Sequence, residues 1–414
     1  MEFRFTKQYI IDFLIRRRSM KRLIALLMTV FCTFMMLTAC GGGNGSSTDS
    51  DSTPPATPNY KKLVDFVVEV ESGRDIVVLQ LSDPQMIDSS QMRSPDRLDP
   101  VLAAYWGPDQ KENRCFKYIR ETVEATKPDL IIVTGDITYG EFDDDGTALT
   151  SFIEFMEGFN IPWAPVLGNH EGESAMGTTW QSNQFMDAKN CLFRQRNLSG
   201  NGNYTVGIVQ DNQLKRVFFM MDSNGCSFAS SASLSSGHTV VGKGFEGDQI
   251  EWYTERITEI KQECPEVKLS FAFHIQIHAF VSAFATYGYT SASKDAIDLD
   301  EVGKEGDFGI INYYPGSPWD TNMKVFRSFK NLGVDSVFIG HEHANSASIV
   351  FEGIRLQFGQ KSSTYDSTNY VTPTGKIVRS YSDAGMPLVG GTVIPVSQED
   401  GSLKTPYIYL CTEE

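Results

Sequence analysis

Five short apolar runs in this chain each end on a residue type that binds metal ions, and this repetition constrains the fold more than any other feature. Val77-Val78-Leu79-Gln80-Leu81-Ser82 leads to Asp83, and Leu130-Ile131-Ile132-Val133-Thr134 leads to Gly135-Asp136. Pro165-Val166-Leu167 leads to Gly168-Asn169-His170-Glu171. Ser270-Phe271-Ala272-Phe273 leads to His274, and Val337-Phe338-Ile339 leads to Gly340-His341-Glu342-His343. Short apolar runs bounded by turn residues read as buried strands, here over residues 76–81, 130–133, 217–221, 269–273 and 336–339. Helix-like stretches lie between them at about 111–126, 148–157, 248–263 and 321–332. The third is the clearest. Asp248 can cap it, Glu251 occupies the capping-box position, and Ile250, Tyr253, Ile257 and Ile260 line one face. Alternating strand and helix implies an α/β fold with a largely parallel sheet covered by helices. Beyond about residue 344 the chain reads as strands and loops, with glycines as punctuation.

Ligands of such sheets bind beyond the carboxyl ends of the strands. Carboxylate, amide and imidazole donors gathered there suit borderline and hard divalent or trivalent metal ions. Histidine usage adds weight. The chain has six His, and His170, His274, His278, His341 and His343 all lie in or beside these strand ends, with His238 elsewhere. A lone His is more often a satisfied structural residue than a ligand. Five gathered at strand ends make His274, His341 and His343 ligand candidates. His278 stays open between the two roles.

The ordered set Asp83, Gly135-Asp136, Gly168-Asn169-His170-Glu171, His274 and Gly340-His341-Glu342-His343 resembles the calcineurin-like metallophosphoesterase signature. The resemblance spans residues 75 to 394. It implies a four-layer α/β/β/α sandwich of two mixed β-sheets flanked by helices, with a dinuclear metal centre at the strand ends. It further implies that Asp136 bridges the ions, that Asp83 and His343 complete one shell, and that Asn169, His274 and His341 hold the other ion. His170 would stand beside the leaving-group oxygen as the acid. Two cations about 3.5–4 Å apart clamp the attacking and leaving oxygens of an in-line displacement and make hydroxide available near neutral pH. The implied activity is hydrolysis of a small phosphorylated substrate. The implied cofactors are two metal ions drawn from Fe, Zn and Mn.

The first motif departs from the commonest pattern. Many members carry Asp-x-His, whereas this chain has Asp83-Pro84-Gln85. Purple acid phosphatases are similar in lacking that His, and a Tyr three residues after their bridging Asp binds ferric iron. Tyr139 occupies the matching position. It is either a ligand, making the first ion Fe(III), or an aromatic packed beside the strand end. Gln85 is also the feature that favours a rival class, a surface protein that keeps the metal-site fold as a non-catalytic binding module.

Several other features bear on partners and location. Arg16, Arg17, Arg18, Lys21 and Arg22 precede a nearly unbroken apolar run from 23 to 37, and Leu37-Thr38-Ala39-Cys40-Gly41 follows. This pattern reads as a secretory signal. The small residues before Cys40 resemble a bacterial lipoprotein cleavage box, which implies lipidation of Cys40 and anchorage of the protein to a membrane of the cell envelope, facing the periplasm or the exterior. Residues 41–60, rich in Gly, Ser, Thr and Pro, read as a flexible tether, and residues 61–414 as the metallophosphoesterase domain. The net charge of −16 and the lack of a basic stripe exclude a dedicated nucleic-acid binder. Beyond Cys32 and Cys40, five Cys remain without a CxxC pair, so a zinc knuckle is not indicated and one or two disulfides stay open. Asp143-Asp144-Asp145 reads as a solvated turn, and Asp222 as a turn residue.

Overall fold

The structure is a computed structural model, which describes residues 59–91, 111–225 and 243–412, apart from 317, 321, 365 and 381–383. The signal segment, Cys40, most of the tether, Cys226 and His238 lie outside the described residues. Among the described residues no helix is long and apolar enough to cross a membrane.

The chain first forms β1 (Phe66–Glu69), β2 (Ile76–Leu81), helix α1 (Lys111–Thr126) and β3 (Leu130–Thr134). Then come α2 (Thr147–Glu157), β4 (Trp163–Val166), α3 (Gly177–Asp187), β5 (Tyr204–Gln210), β6 (Gln213–Met220) and α4 (Gly247–Glu263). The middle of the chain supplies β7 (Lys268–Ala272), α5 (His278–Ala285), β8 (Ile297–Asp298), α6 (Leu299–Val302) and β9 (Ile310–Ile311). It continues through α7 (Lys324–Leu332), β10 (Ser336–Ile339), β11 (Ser348–Phe351) and β12 (Ile354–Phe358). The last strands are β13 (Thr368–Val371), β14 (Ile377–Ser380), β15 (Met386–Pro387), β16 (Gly390–Val396) and β17 (Tyr407–Leu410).

Two mixed sheets hold most of these strands. One runs β1-β5-β6-β7-β10-β12-β11 and the other β17-β16-β2-β3-β4. Strands β6, β7, β10 and β12 are mutually parallel, as are β2, β3 and β4. Antiparallel partners flank these parallel sets: β5 lies beside β6, β11 beside β12, and β16 returns beside β2. The single parallel sheet suggested by strand–helix alternation is therefore two, because the late strands pair back onto the early ones.

Side-chain alternation gives the layers. On β6, Phe218 and Met220 join the core shared with the second sheet, while Val217 and Phe219 join a core containing Tyr253, Ile257 and Ile260 of α4. On β10, Phe338 faces the first core and Val337 and Ile339 the second. Helix α1 buries Cys115, Tyr118, Ile119, Thr122 and Val123, the three-and-four spacing of one helical face. The result is the α/β/β/α sandwich. Each fully buried Val, Leu, Ile or Phe in these cores contributes roughly 1.5–3 kcal/mol of transfer free energy.

Two local expectations are corrected. Helix α4 is capped by Glu246, whose side chain forms a capping box with Gln249. Asp248 lies inside the first turn, where it accepts the amides of Ser199 and Gln249, both at 2.8 Å. Asp143 is not solvated: it is buried, and its carboxylate accepts the amides of Ala148 at 2.7 Å and Leu149 at 3.1 Å, holding the first turn of α2. Among the described residues Cys115, Cys191, Cys264 and Cys411 are free thiols, so no disulfide forms there.

Candidate metal centre

Asp83, Asp136, His274 and His341 each sit two residues past the end of a strand, on β2, β3, β7 and β10, and Asn169 sits three past β4. The backbone turns sharply at these ends. Asp83, Gln85, Asp136 and His341 have φ of +50°, +47°, +48° and +76°. Left-handed backbone costs a non-glycine residue roughly 1–2 kcal/mol, and such strain gathers at functional sites. Cross-loop hydrogen bonds hold it in place. The Gln85 amide donates to Asp136 O at 2.8 Å and the Met86 amide to Ile137 O at 2.8 Å. Glu171 clamps two motifs together, its carboxylate accepting the amides of Ile137 at 2.5 Å and Gly168 at 2.6 Å.

Gly135 needs its lack of a side chain twice over. Its φ is +87°, and a Cβ would press into the His274 imidazole and the Gly168 backbone. We expect Gly135→Ala to lower the thermal midpoint by several degrees and to weaken metal binding together with it. A melting curve and a metal titration on the same preparation check both.

The donor atoms converge. Nδ1 of His274 lies 2.8 Å from Thr134 O, an atom that only accepts, so this nitrogen carries the proton. Nε2 of the neutral ring then presents its lone pair 3.0 Å from Asn169 Oδ1 and 3.1 Å from Asp136 Oδ2. Asp136 Oδ1 is occupied, accepting the amides of Asn169 and His170, both at 2.9 Å. Asp136 Oδ2 is buried and accepts no hydrogen bond. Three electron-pair donors facing one another inside a protein need a cation between them, either a proton on His274 Nε2 or a metal ion.

Two sets of donors satisfy that need. Ligand atoms of Asp136, His274 and His341 lie within 4.8 Å of one another, and so do those of Asp83, Asp136 and His343. Asp136 belongs to both. Asp83 is also held by the His341 amide at 3.0 Å, and His343 Nε2 stands 3.5 Å from its Oδ1.

The electrostatics follow from this crowding. Burial opposes charge on His274, yet Asp136 and then Asp83 lift its imidazole to about 9. Burial and the nearby His274 push His341 down to about 3. Burial and the Lys361 ammonium lower His343. Burial raises Asp83, but His343 outweighs it and leaves the carboxyl at about 2. Asp83, His341 and His343 are thus held in the forms that ligate metals, while His274 keeps a proton that a bound ion would displace.

His170 stands beside this group, its Nε2 3.9 Å from Asp136 Oδ2. Its Nδ1 is 2.7 Å from Glu173 Oε2. Burial disfavours the imidazolium, but Glu173 and Asp136 outweigh it and raise the ring to about 10. Tyr139 lies against His170 with ring centroids 4.1 Å apart, and edge-on to Phe142. His278 opens helix α5, its amide donating to Asp320 O, and belongs to neither donor set. Asp222 ties two loops, accepting the amides of Asn201 and Asn224, both at 2.7 Å.

Two buried residues of the site lie outside the sequence motifs. One is Glu173, three residues after His170, which the run Gly168-Asn169-His170-Glu171-Gly172-Glu173 leaves in plain view as a one-turn neighbour. The other is Lys361, whose Nζ donates to Asp83 O at 2.8 Å and to Gln85 Oε1 at 2.6 Å. The strand Ile354–Phe358 followed by Gly359-Gln360-Lys361 repeats the pattern of an apolar run ending on a polar residue.

A family model described as calcineurin-like phosphoesterase matches residues 76–345, more than half of the chain, and the chain belongs to that family. It is 25% identical over 328 residues to probable inactive purple acid phosphatase 29 of Arabidopsis thaliana, covering 74% of this chain and 75% of that one. It is 30% identical over 267 residues to probable inactive purple acid phosphatase 28 of the same plant, covering 59% and 60%. A solved dimetal phosphatase from Danio rerio is similar over 78% of this chain and 96% of that one, at 11% identity and a TM-score of 0.39.

Proposed function

We propose that this chain hydrolyses phosphate esters with two metal ions, in the cell envelope outside the cytoplasm. The observation that carries the reading is Asp136 Oδ2, a buried carboxylate oxygen without a hydrogen-bond donor, shared by two sets of donors. In this reading Asp83, Asp136 and His343 hold the first ion. Asp136, Asn169, His274 and His341 hold the second. The ions would supply the charge that draws an anionic ester to an acidic protein and activate water for attack. The chain's own residues do the rest. Backbone amides and Glu171 fix the carboxylate geometry, neutral histidines keep the site net positive, and His170 delivers a proton to the departing oxygen.

Visible colour decides the fourth donor of the first ion. Purple absorption that disappears in Tyr139→Phe assigns Fe(III) and a phenolate ligand there. Colourless active protein assigns a divalent ion and leaves Tyr139 to its packing on His170 and Phe142.

The second reading, a metal-binding module without turnover, is favoured by Gln85 and by the word inactive in the names of the two plant relatives. Metal content measured beside turnover of chromogenic phosphomonoesters and phosphodiesters separates the two. Two ions per chain with turnover supports the enzyme, and two ions with none on any ester supports the module.

The envelope location rests on the lipobox-like segment ending at Cys40. Cys40→Ala is expected to move the protein from the membrane fraction to the soluble fraction. Continued membrane association in that variant would refute lipid anchoring through this thiol.

A further inference from the structure

We propose that Lys361 keeps Gln85 out of the shell of the first metal ion and makes that position the weaker of the two. The inference rests on the metal-centre reading above. Lys361 is 1% exposed, and its position is fixed by its neighbours. The segment after β12 bridges in parallel to Ser82. The Ser362 amide donates to Ser82 O at 2.9 Å, and Ser363 Oγ to Pro84 O at 2.6 Å. This arrangement fixes the backbone of Lys361 beside the Asp83 loop, and the ammonium's two hydrogen bonds, to Asp83 O and Gln85 Oε1, hold Nζ there.

Two consequences follow from its contacts. The carbonyl oxygen is the one atom of Gln85 able to ligate a cation, because the amide nitrogen offers no free lone pair. That oxygen is committed to Lys361 at 2.6 Å in a charge-assisted bond, and the buried Nε2 has no hydrogen-bond partner. Turning the amide over would set its NH₂ against the ammonium, donor against donor. Gln85, which stands in the sequence where the commoner pattern has His, therefore has only the non-ligating end of its side chain uncommitted. The second consequence is charge. A fixed ammonium in hydrogen-bond contact with the Asp83 carbonyl repels a cation approaching Asp83 and His343, and burial leaves little water to screen it. The cation nearest the second position, His170, instead faces Asp136 Oδ2 at 3.9 Å, an oxygen that both positions share, so only Lys361 distinguishes them. The two positions thus share Asp136 and differ in affinity, and at limiting metal the protein holds one ion.

Calorimetric titration of Mn²⁺ into the metal-stripped full chain tests this without reference to turnover. The wild-type protein should bind two ions in two separated phases. Lys361→Met should tighten the weaker phase at least tenfold and leave the tighter one within about twofold, and Lys361→Arg should keep the wild-type separation. If Lys361→Met fails to give the wild-type circular dichroism spectrum, Lys361→Gln, which removes the charge and keeps a donor, is read against the same expectation. A weaker phase that is unchanged or loosened by loss of the charge overturns the inference, as do two equal phases in the wild type. Neither result touches the metal-centre reading. Absence of any Mn²⁺ binding by the wild type would remove that reading and the inference together.

Discussion

Asp136→Asn is expected to reduce turnover of phosphate esters by about 10³-fold or more and to leave fewer than two ions bound per chain. The magnitude follows from removing a charge that a dinuclear centre uses twice, where loss of a single electrostatic contact already costs about 10²–10³. The local geometry makes the substitution worse than neutralisation alone. Asp136 Oδ1 accepts the amides of Asn169 and His170 at 2.9 Å, and Oδ2 faces His274 Nε2 at 3.1 Å. An asparagine must choose. With its oxygen toward the two amides it turns an NH₂ on the cation position, and the alternative sets that NH₂ against two N–H donors. In the first orientation it also donates to His274 Nε2, holding by a hydrogen bond the ring that would otherwise ligate. Metal content by mass spectrometry after gel filtration, with turnover on the same sample, checks both parts. A variant that keeps two ions and wild-type rate would show that the shared carboxylate is not the centre of the site.

Much of this site was legible because its architecture writes the same phrase repeatedly. A strand buried on both faces must be apolar along its length, so its end is marked where the first polar residue appears. Asp83, Asp136, Asn169, His274 and His341 all follow such ends, and the fold brings them together without any long-range guess. What stayed hidden has physical reasons. Lys361 acts on Gln85 across 276 residues, and no local periodicity reports that contact. Asp248 reads as the cap of α4 where Glu246 forms it, since both are acidic residues near the same helix start and only the reciprocal bonds of Glu246 with Gln249 tell them apart. Helix α3 reads Gly-Thr-Thr-Trp-Gln-Ser-Asn-Gln-Phe-Met-Asp, with buried Gln181, Ser182 and Phe185. Two of its three buried side chains are polar, so an apolar stripe never forms and the helix is invisible to hydrophobic pattern. The two mixed sheets follow from the motif resemblance and not from strand–helix alternation, which cannot report that β16 is antiparallel to β2 over five residue pairs, a pairing between the two ends of the domain.

His170→Ala is expected to lower turnover by about 10²–10⁴-fold while leaving both ions in place, the signature of a lost general acid. The ring is buried, packed on Tyr139, and fixed by Glu173 through Nδ1 at 2.7 Å, which turns Nε2 toward Asp136 Oδ2 at 3.9 Å and the donor cluster. Its charge state sets the pH dependence. An isolated imidazole is half protonated near 6.5, but Glu173 and Asp136 raise this one to about 10 against the opposing effect of burial. Bound cations lower it from there by repulsion, and the acid is lost as pH rises through whatever value results. The alkaline limb of kcat/KM therefore reports His170. Glu173→Gln removes the largest supporting charge while keeping a side chain that can accept from Nδ1, so the limb should move to lower pH. At pH 6, below the shifted limb, the variant should retain most of its rate, whereas at pH 8 it should lose the larger share. The His170→Ala protein should lack this limb altogether. A merely structural role for Glu173 would lower the rate equally at every pH and leave the limb unmoved, and that result would remove Glu173 as the residue that tunes the acid.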